Sequence, residues 1–272
     1  MTRRGLWLGM AGLVLLAAAP GRAQLVENYE PAKANCCLAS QAKSLAEQLQ
    51  DWNQLGRYYA ANAELKEQPA QVKRVVFMGD SITDGWRLGE SFPGKPYVNR
   101  GISGQVTAQM LVRMFPDVID LKPAAVIILA GTNDIAQNNG PQTIMMVEEN
   151  LMAMTELAQK HGIQVILCSV LPISDYAPMP VGWGNPPQTA EEPRRKLIQS
   201  THRPPSQIVQ LNEWMKKYAA SVGATYADYF SAVADEKGML KEGYSEDGLH
   251  PNGKGYALMA PVAETAIGKV VK

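Results

Sequence analysis

Residues Val75-Val76-Phe77-Met78 are apolar at every position, and the run breaks at once into Gly79-Asp80-Ser81. A strand with one wet face alternates polar and apolar side chains. A strand apolar throughout is buried on both faces, as in a parallel sheet covered by helices on either side. The spacing predicts strands over Arg74–Met78, Tyr97–Asn99, Ala125–Ala130, Gln164–Val170 and Ala224–Ala227. Helical patterns lie between several of them. Thr143–His161 carries Ile144, Val147, Leu151, Met154 and Ala158 on one stripe, and Asn212–Ser221 and Gly255–Val271 are also helical in pattern. The expected fold class is therefore α/β, with functional residues at the carboxyl ends of the strands. Ser81, Gly131–Asp134 and the segment after Asn99 all fall at such ends.

At 272 residues the chain has length for one substantial domain and an extension. Its formal charge is zero and no basic block exceeds three residues, so nothing suggests a nucleic-acid footprint. Arg3 and Arg4, the apolar run Leu6 to Ala19 and the small-x-small site Gly21-Arg22-Ala23 read as a signal peptide over 1–23. The apolar run is shorter than the roughly 18 residues a membrane span requires. The expectation is an exported, secreted or periplasmic protein without stable membrane insertion after cleavage. Residues 24–70 read as a helical N-terminal extension, with Leu45, Leu49, Trp52 and Leu55 or Tyr59 at helical spacing. The main domain is expected over 71–272. Within it, 174–206 is an irregular insertion that includes Pro178, Pro180, Pro186, Pro187, Pro193, Pro204 and Pro205. It follows the fourth strand and should overhang the active-site face, either as a substrate-shaping rim or as a plain surface loop. Cys36 and Cys37 are adjacent, which disfavours a bridge between them and leaves other pairings open. Cys168 reads as a small buried hydrophobe.

Ser81 is the candidate nucleophile, against the alternative of a turn serine that caps the next helix. Asn133, directly after the apolar run Val126–Ala130, offers a side-chain amide to an oxyanion, and Gly104, after the second strand, offers a backbone N–H. Far downstream, Asp247-Gly248-Leu249-His250-Pro251 supplies a carboxylate and an imidazole close together. His250 is the candidate base and Asp247 its orienting partner. His161 sits at a helix end and His202 in the Pro-rich segment, so neither competes. No second histidine stands at metal-ligand spacing and no cysteine pair suits zinc, so no metal is expected. Neither phosphate-binding glycine motif follows the first strand, and no G-x-S-x-G elbow surrounds Ser81. Asp80 is expected to tie down the turn, and Trp86 to pack in the core rather than wall an acyl pocket.

Gly79-Asp80-Ser81-Ile82, Gly104, Gly131-Thr132-Asn133-Asp134 and Asp247-Gly248-Leu249-His250-Pro251 together resemble, in order and spacing, the motif blocks of the SGNH hydrolase superfamily, the GDSL esterases. The resemblance covers about residues 71 to 270. It implies a flavodoxin-like three-layer α/β/α sandwich with a five-stranded parallel sheet. It implies Ser81 as nucleophile, His250 as base, Asp247 as its partner, and an oxyanion hole from the N–H groups of Ser81 and Gly104 with Asn133. No cofactor is implied. The expected activity is an exported serine esterase that removes short acyl groups, acetyl in particular, from small-molecule or glycan esters. A lysophospholipase or thioesterase, a transacylase with a sugar acceptor, and a non-catalytic glycan-binding module are the alternatives.

Overall fold

The computed structural model describes residues 43, 45, 46, 49–68, 73–181, 189–191, 193 and 195–271. The signal-peptide expectation, Cys36, Cys37 and the 182–188 part of the Pro-rich segment lie outside the described residues. Of the two units into which the chain divides, residues 45–272 hold every element named here.

Five strands form one all-parallel sheet: β1 (Val75–Gly79), β2 (Tyr97–Gly101), β3 (Ala125–Leu129), β4 (Gln164–Cys168) and β5 (Thr225–Ala227), in the order β2-β1-β3-β4-β5. Every residue of β1 and β3 is buried. Successive side chains alternate between two cores, as strand geometry requires. Val76, Met78, Val126, Ile128, Val165 and Leu167 face one core, and Val75, Phe77, Ala125, Ile127, Ile166 and Cys168 face the other. The first core is closed by α4 (Thr107–Val112), α7 (Ile144–Lys160) and α8 (Pro205–Ser221), through Met110, Leu151, Met154, Leu211 and Met215. The second is closed chiefly by α10 (Gly253–Val270), through Met259, Ala263 and Ile267, and by Trp86 and Phe92. Phe77 lies within 5.5–5.8 Å of the Trp86, Phe92 and Tyr97 ring centroids. A buried aromatic of this kind contributes about 3–5 kcal/mol relative to alanine. Trp86 is thus core, as expected, and Cys168 is fully buried.

This strand order reverses direction between β1 and β3, so their carboxyl ends flank a crevice at the switch point. The remaining short helices lie on the segments that connect the strands and longer helices: α2 (Ser81–Asp84), α3 (Leu88–Ser91), α5 (Met114–Asp117), α6 (Thr132–Ile135) and α9 (Tyr229–Val233).

The structure departs from the periodicity at two places. Helix α8 begins at Pro205, not Asn212, because proline is compatible with the first helical turn, where its missing N–H has no acceptor to lose. Before the sheet, the helical pattern is interrupted over 51–58, where Asp51 accepts the N–H groups of Leu55 and Gly56 at 2.8 and 2.9 Å, and helix resumes as α1 (Tyr59–Lys66). The stripe Leu45, Leu49, Trp52, Leu55 and Tyr59 is exposed. Docking of this segment is polar instead. Buried Asn62 donates to Asp117 and accepts from Arg100, Gln105 and Gln109 hold the carbonyls of Asn53 and Trp52, and Tyr58 Oη donates to the Gly101 carbonyl.

Candidate active site

Ser81 is the first residue of α2, immediately past the end of β1. Asp80 is buried and accepts the Ile82 N–H at 2.9 Å, so it ties down the turn. Gly79 permits the turn to close: a Cβ there would lie 2.1 Å from Thr83 Oγ1. Asn99 at the neighbouring strand donates to the carbonyls of Thr83 and Trp86, and Tyr256 of α10 donates to that of Ile82. The hydroxyl therefore projects from a backbone held on three sides.

His250 arrives from the loop before α10. Its Nε2 lies 2.8 Å from Ser81 Oγ, and its Nδ1 lies 2.6 Å from Asp247 Oδ2. Asp247 Oδ1 accepts from Ser245 Oγ, Leu249 N–H and His250 N–H at 3.0, 2.9 and 2.8 Å. Glycine is required at the turn of this loop. Gly248 has φ +80°, and a Cβ would come within 2.2 Å of the Ser174 carbonyl, while Ser174 N–H donates to the Gly248 carbonyl. The three residues picked out by spacing thus form one hydrogen-bonded chain.

Burial pushes the Asp247 carboxyl upward, but the hydrogen bonds from the His250 ring and from the N–H groups of His250 and Leu249 outweigh it and hold Asp247 well below the usual carboxylate range. The Asp247 hydrogen bond raises His250 above the ordinary histidine value, against burial; the charges of Asp247 and Asp80 add to the rise and Arg203 opposes it. Burial lifts Asp80 to about 6, opposed by the Ile82 N–H and by His250. The base must be neutral to accept a proton, and its raised pKa means protonation persists to higher pH. The acid limb of kcat/KM should accordingly fall above about pH 6.5, the ordinary histidine value. A pH profile on p-nitrophenyl acetate with a limb below that value, or none, would contradict the geometry.

Asn133 lies in α6 at the end of β3 and is buried. Its Nδ2 donates to the Gln105 carbonyl at 3.0 Å, and its Oδ1 accepts from Asn138 Nδ2 at 2.8 Å. Gly104 has φ +82°, and a Cβ there would meet nothing within 4 Å, so its backbone borders open space. His202 is exposed, and His161 packs edge-on against Phe115 at 5.6 Å, away from the site. Two residues that spacing does not mark also reach this region from the Pro-rich segment. Gln199 Nε2 donates to the Asp247 carbonyl at 2.9 Å, and buried Arg203 donates to Thr132 Oγ1 at 3.1 Å and to Asn133 Oδ1 at 3.4 Å. A cleft of about 680 Å³, lined by Gly85, Trp86, Arg87, Glu90, Ser91 and Tyr256 among others, includes none of Ser81, Asp247, His250, Gly104 and Asn133. Among the described residues, no group of three His, Cys, Asp or Glu side chains is placed to hold a metal ion, and no helix is long and apolar enough to cross a membrane.

Residues 77–258, which include all of these groups, match the model of the GDSL-like lipase/acylhydrolase family. The chain belongs to this family. A GDSL-like lipase from Bacteroides thetaiotaomicron VPI-5482 is 37% identical over 80% of this chain and 99% of its own, with a TM-score of 0.67. Esterase TesA of Pseudomonas aeruginosa is 29% identical over 128 residues, 42% of this chain. A variant of an acetyl-xylooligosaccharide esterase from Geobacillus Stearmophilus shares the fold, with 22% identity, a TM-score of 0.54 and coverage of 72% of this chain and 94% of its own. The chain spans 32% to 62% of the length of the curated relatives it matches. As a GDSL acylhydrolase it is a hydrolase of ester bonds on a five-stranded parallel sheet flanked by helices.

Proposed function

We propose that this GDSL acylhydrolase is an exported serine esterase that removes short acyl groups, acetyl foremost, from carbohydrate or other polyhydroxylated esters. The observation that carries the mechanism is the chain Ser81 Oγ–His250 Nε2 and His250 Nδ1–Asp247 Oδ2, at 2.8 and 2.6 Å. Ser81 Oγ attacks the ester carbonyl as its proton passes to His250 Nε2. The carbonyl oxygen becomes an oxyanion received by the N–H groups of Ser81 and Gly104 and by Asn133 Nδ2. Collapse of the tetrahedral adduct breaks the ester C–O bond, and His250 returns the proton to the departing alcohol. Water then attacks the acyl-enzyme, losing a proton to His250, and the carboxylic acid leaves with Ser81 restored.

Short acyl and polar alcohol groups are favoured by what surrounds Ser81. The groups linked to the triad by hydrogen bonds or charge are polar, Gln199 and Arg203, and Gly104 presents exposed backbone. The acetyl-xylooligosaccharide esterase that shares the fold agrees with this reading. Export rests on the N-terminal pattern of Arg3, Arg4 and Leu6 to Ala19. Initial rates on p-nitrophenyl esters from acetate to palmitate test the reading. We expect kcat/KM to peak at acetate and to fall at least about tenfold by octanoate, the scale of a few misplaced methylenes. A long-chain optimum would move the substrate to lipids.

A further inference from the structure

We infer that Arg203 is a positioning residue for ester hydrolysis, holding the Asn133 amide with its Nδ2 turned toward the reacting carbonyl oxygen. The inference rests on the oxyanion role proposed above for Asn133. Arg203 is only 7% exposed, yet no carboxylate lies within ion-pair distance of it among the described residues. Buried arginines are ordinarily ion-paired. Its partners here are neutral oxygens: Thr132 Oγ1 at 3.1 Å, Gln199 Oε1 at 3.3 Å and Asn133 Oδ1 at 3.4 Å. Two of them belong to consecutive residues at the start of α6, and the third, Gln199, braces the Asp247 carbonyl.

An asparagine amide has two ends of similar shape, and its neighbours decide which end faces a substrate. A guanidinium can only donate and a backbone carbonyl can only accept. Asn133 stands between one of each, with Oδ1 toward Arg203 and Nδ2 toward the Gln105 carbonyl. Turning the amide over would set its NH2 against the guanidinium and its oxygen against the carbonyl. The other neighbour, Asn138, carries an amide that can itself turn over, so it imposes no direction. With one Nδ2–H committed to Gln105, the second remains for an incoming oxygen. The 3.4 Å separation is long for a hydrogen bond, so Arg203 acts mainly as a fixed charge against the amide dipole, in a site where burial strengthens that attraction. Such a contribution is felt when charge develops on the substrate oxygen, so it belongs to kcat rather than to KM.

The test is a double-mutant cycle on the full chain with p-nitrophenyl acetate, using Arg203→Met, Asn133→Ala and the pair. Arg203→Met should lower kcat about 10- to 100-fold, the scale of a misplaced catalytic group, with KM within about twofold. Asn133→Ala should lower kcat about 10²–10³-fold. The double variant should lie well short of the product of the two single losses, because the share of the Arg203 effect that passes through Asn133 is already gone. Arg203→Lys keeps the charge and one donor, so it should recover part of the loss; it also serves if the methionine variant does not fold. Multiplying losses in the double variant, a rise in KM at unchanged kcat, or a lysine variant no better than methionine would each overturn the inference. Near-normal kcat in Asn133→Ala is a different result: it would sink the oxyanion reading itself.

Discussion

Ser81→Ala will abolish turnover of p-nitrophenyl acetate, with kcat falling about 10⁴–10⁶-fold, while the protein stays folded. The expected loss is large because the variant removes the atom that forms the acyl-enzyme, and among the described residues no other hydroxyl contacts His250 Nε2. The expected structural cost is small. Ser81 is partly exposed, its Oγ contacts His250, and the turn is held by other groups, namely Asp80, Asn99 and Tyr256. Circular dichroism and a thermal melt beside the kinetics separate the two effects. The informative contrary result is a folded variant that keeps a substantial rate. It would point to another nucleophile or to direct water attack promoted by His250, with buried Asp80, whose pKa lies at about 6, as the nearest other carboxyl on the turn.

The parts of this molecule that were legible in the sequence are those encoded by local spacing. Strands β1 and β3 are buried on both faces, and their runs are apolar at every position. The Asp247 to His250 contact spans three residues, and its geometry is set by a glycine turn visible in the sequence itself. The groups that orient the site were not legible, because their partners are remote. Arg203 meets Thr132 across 71 positions, and Gln199 meets Asp247 across 48. Arg113, fully buried, pairs with Asp117 four residues on, but also donates to the Gly79 carbonyl at the foot of the nucleophile turn, 34 positions away. No residue type or interval announces such a contact; only the folded sheet order brings it about. The N-terminal segment shows the converse. Its apolar residues at helical spacing predict a helix, whereas the Asp51 side chain caps the turn that interrupts it, the stripe is exposed, and Asn62 docks through a buried hydrogen bond to Asp117.

Asp247→Asn should be nearly as damaging as loss of the nucleophile, about 10⁴-fold in kcat, for a reason specific to how this carboxylate is held. One of its oxygens accepts three donors, Ser245 Oγ, Leu249 N–H and His250 N–H. In the asparagine variant the amide oxygen must take that place, since an NH2 group there would face three donors. The NH2 then replaces Oδ2 at 2.6 Å from His250 Nδ1 and donates to it. His250 is driven into the tautomer that carries its proton on Nε2, so it presents a hydrogen to Ser81 and cannot take one. The same substitution removes the largest cause of the raised His250 pKa. The residual activity should therefore show an acid limb displaced to lower pH than in the native protein, the sign opposite to simple damage of the fold. Asp247→Ala separates the two contributions: it also lowers the imidazole pKa but leaves the tautomer free, so it should retain more activity than the isosteric asparagine wherever His250 is neutral. An asparagine variant within tenfold of native kcat, or one whose acid limb moves upward, would show that Asp247 does not govern His250 in turnover.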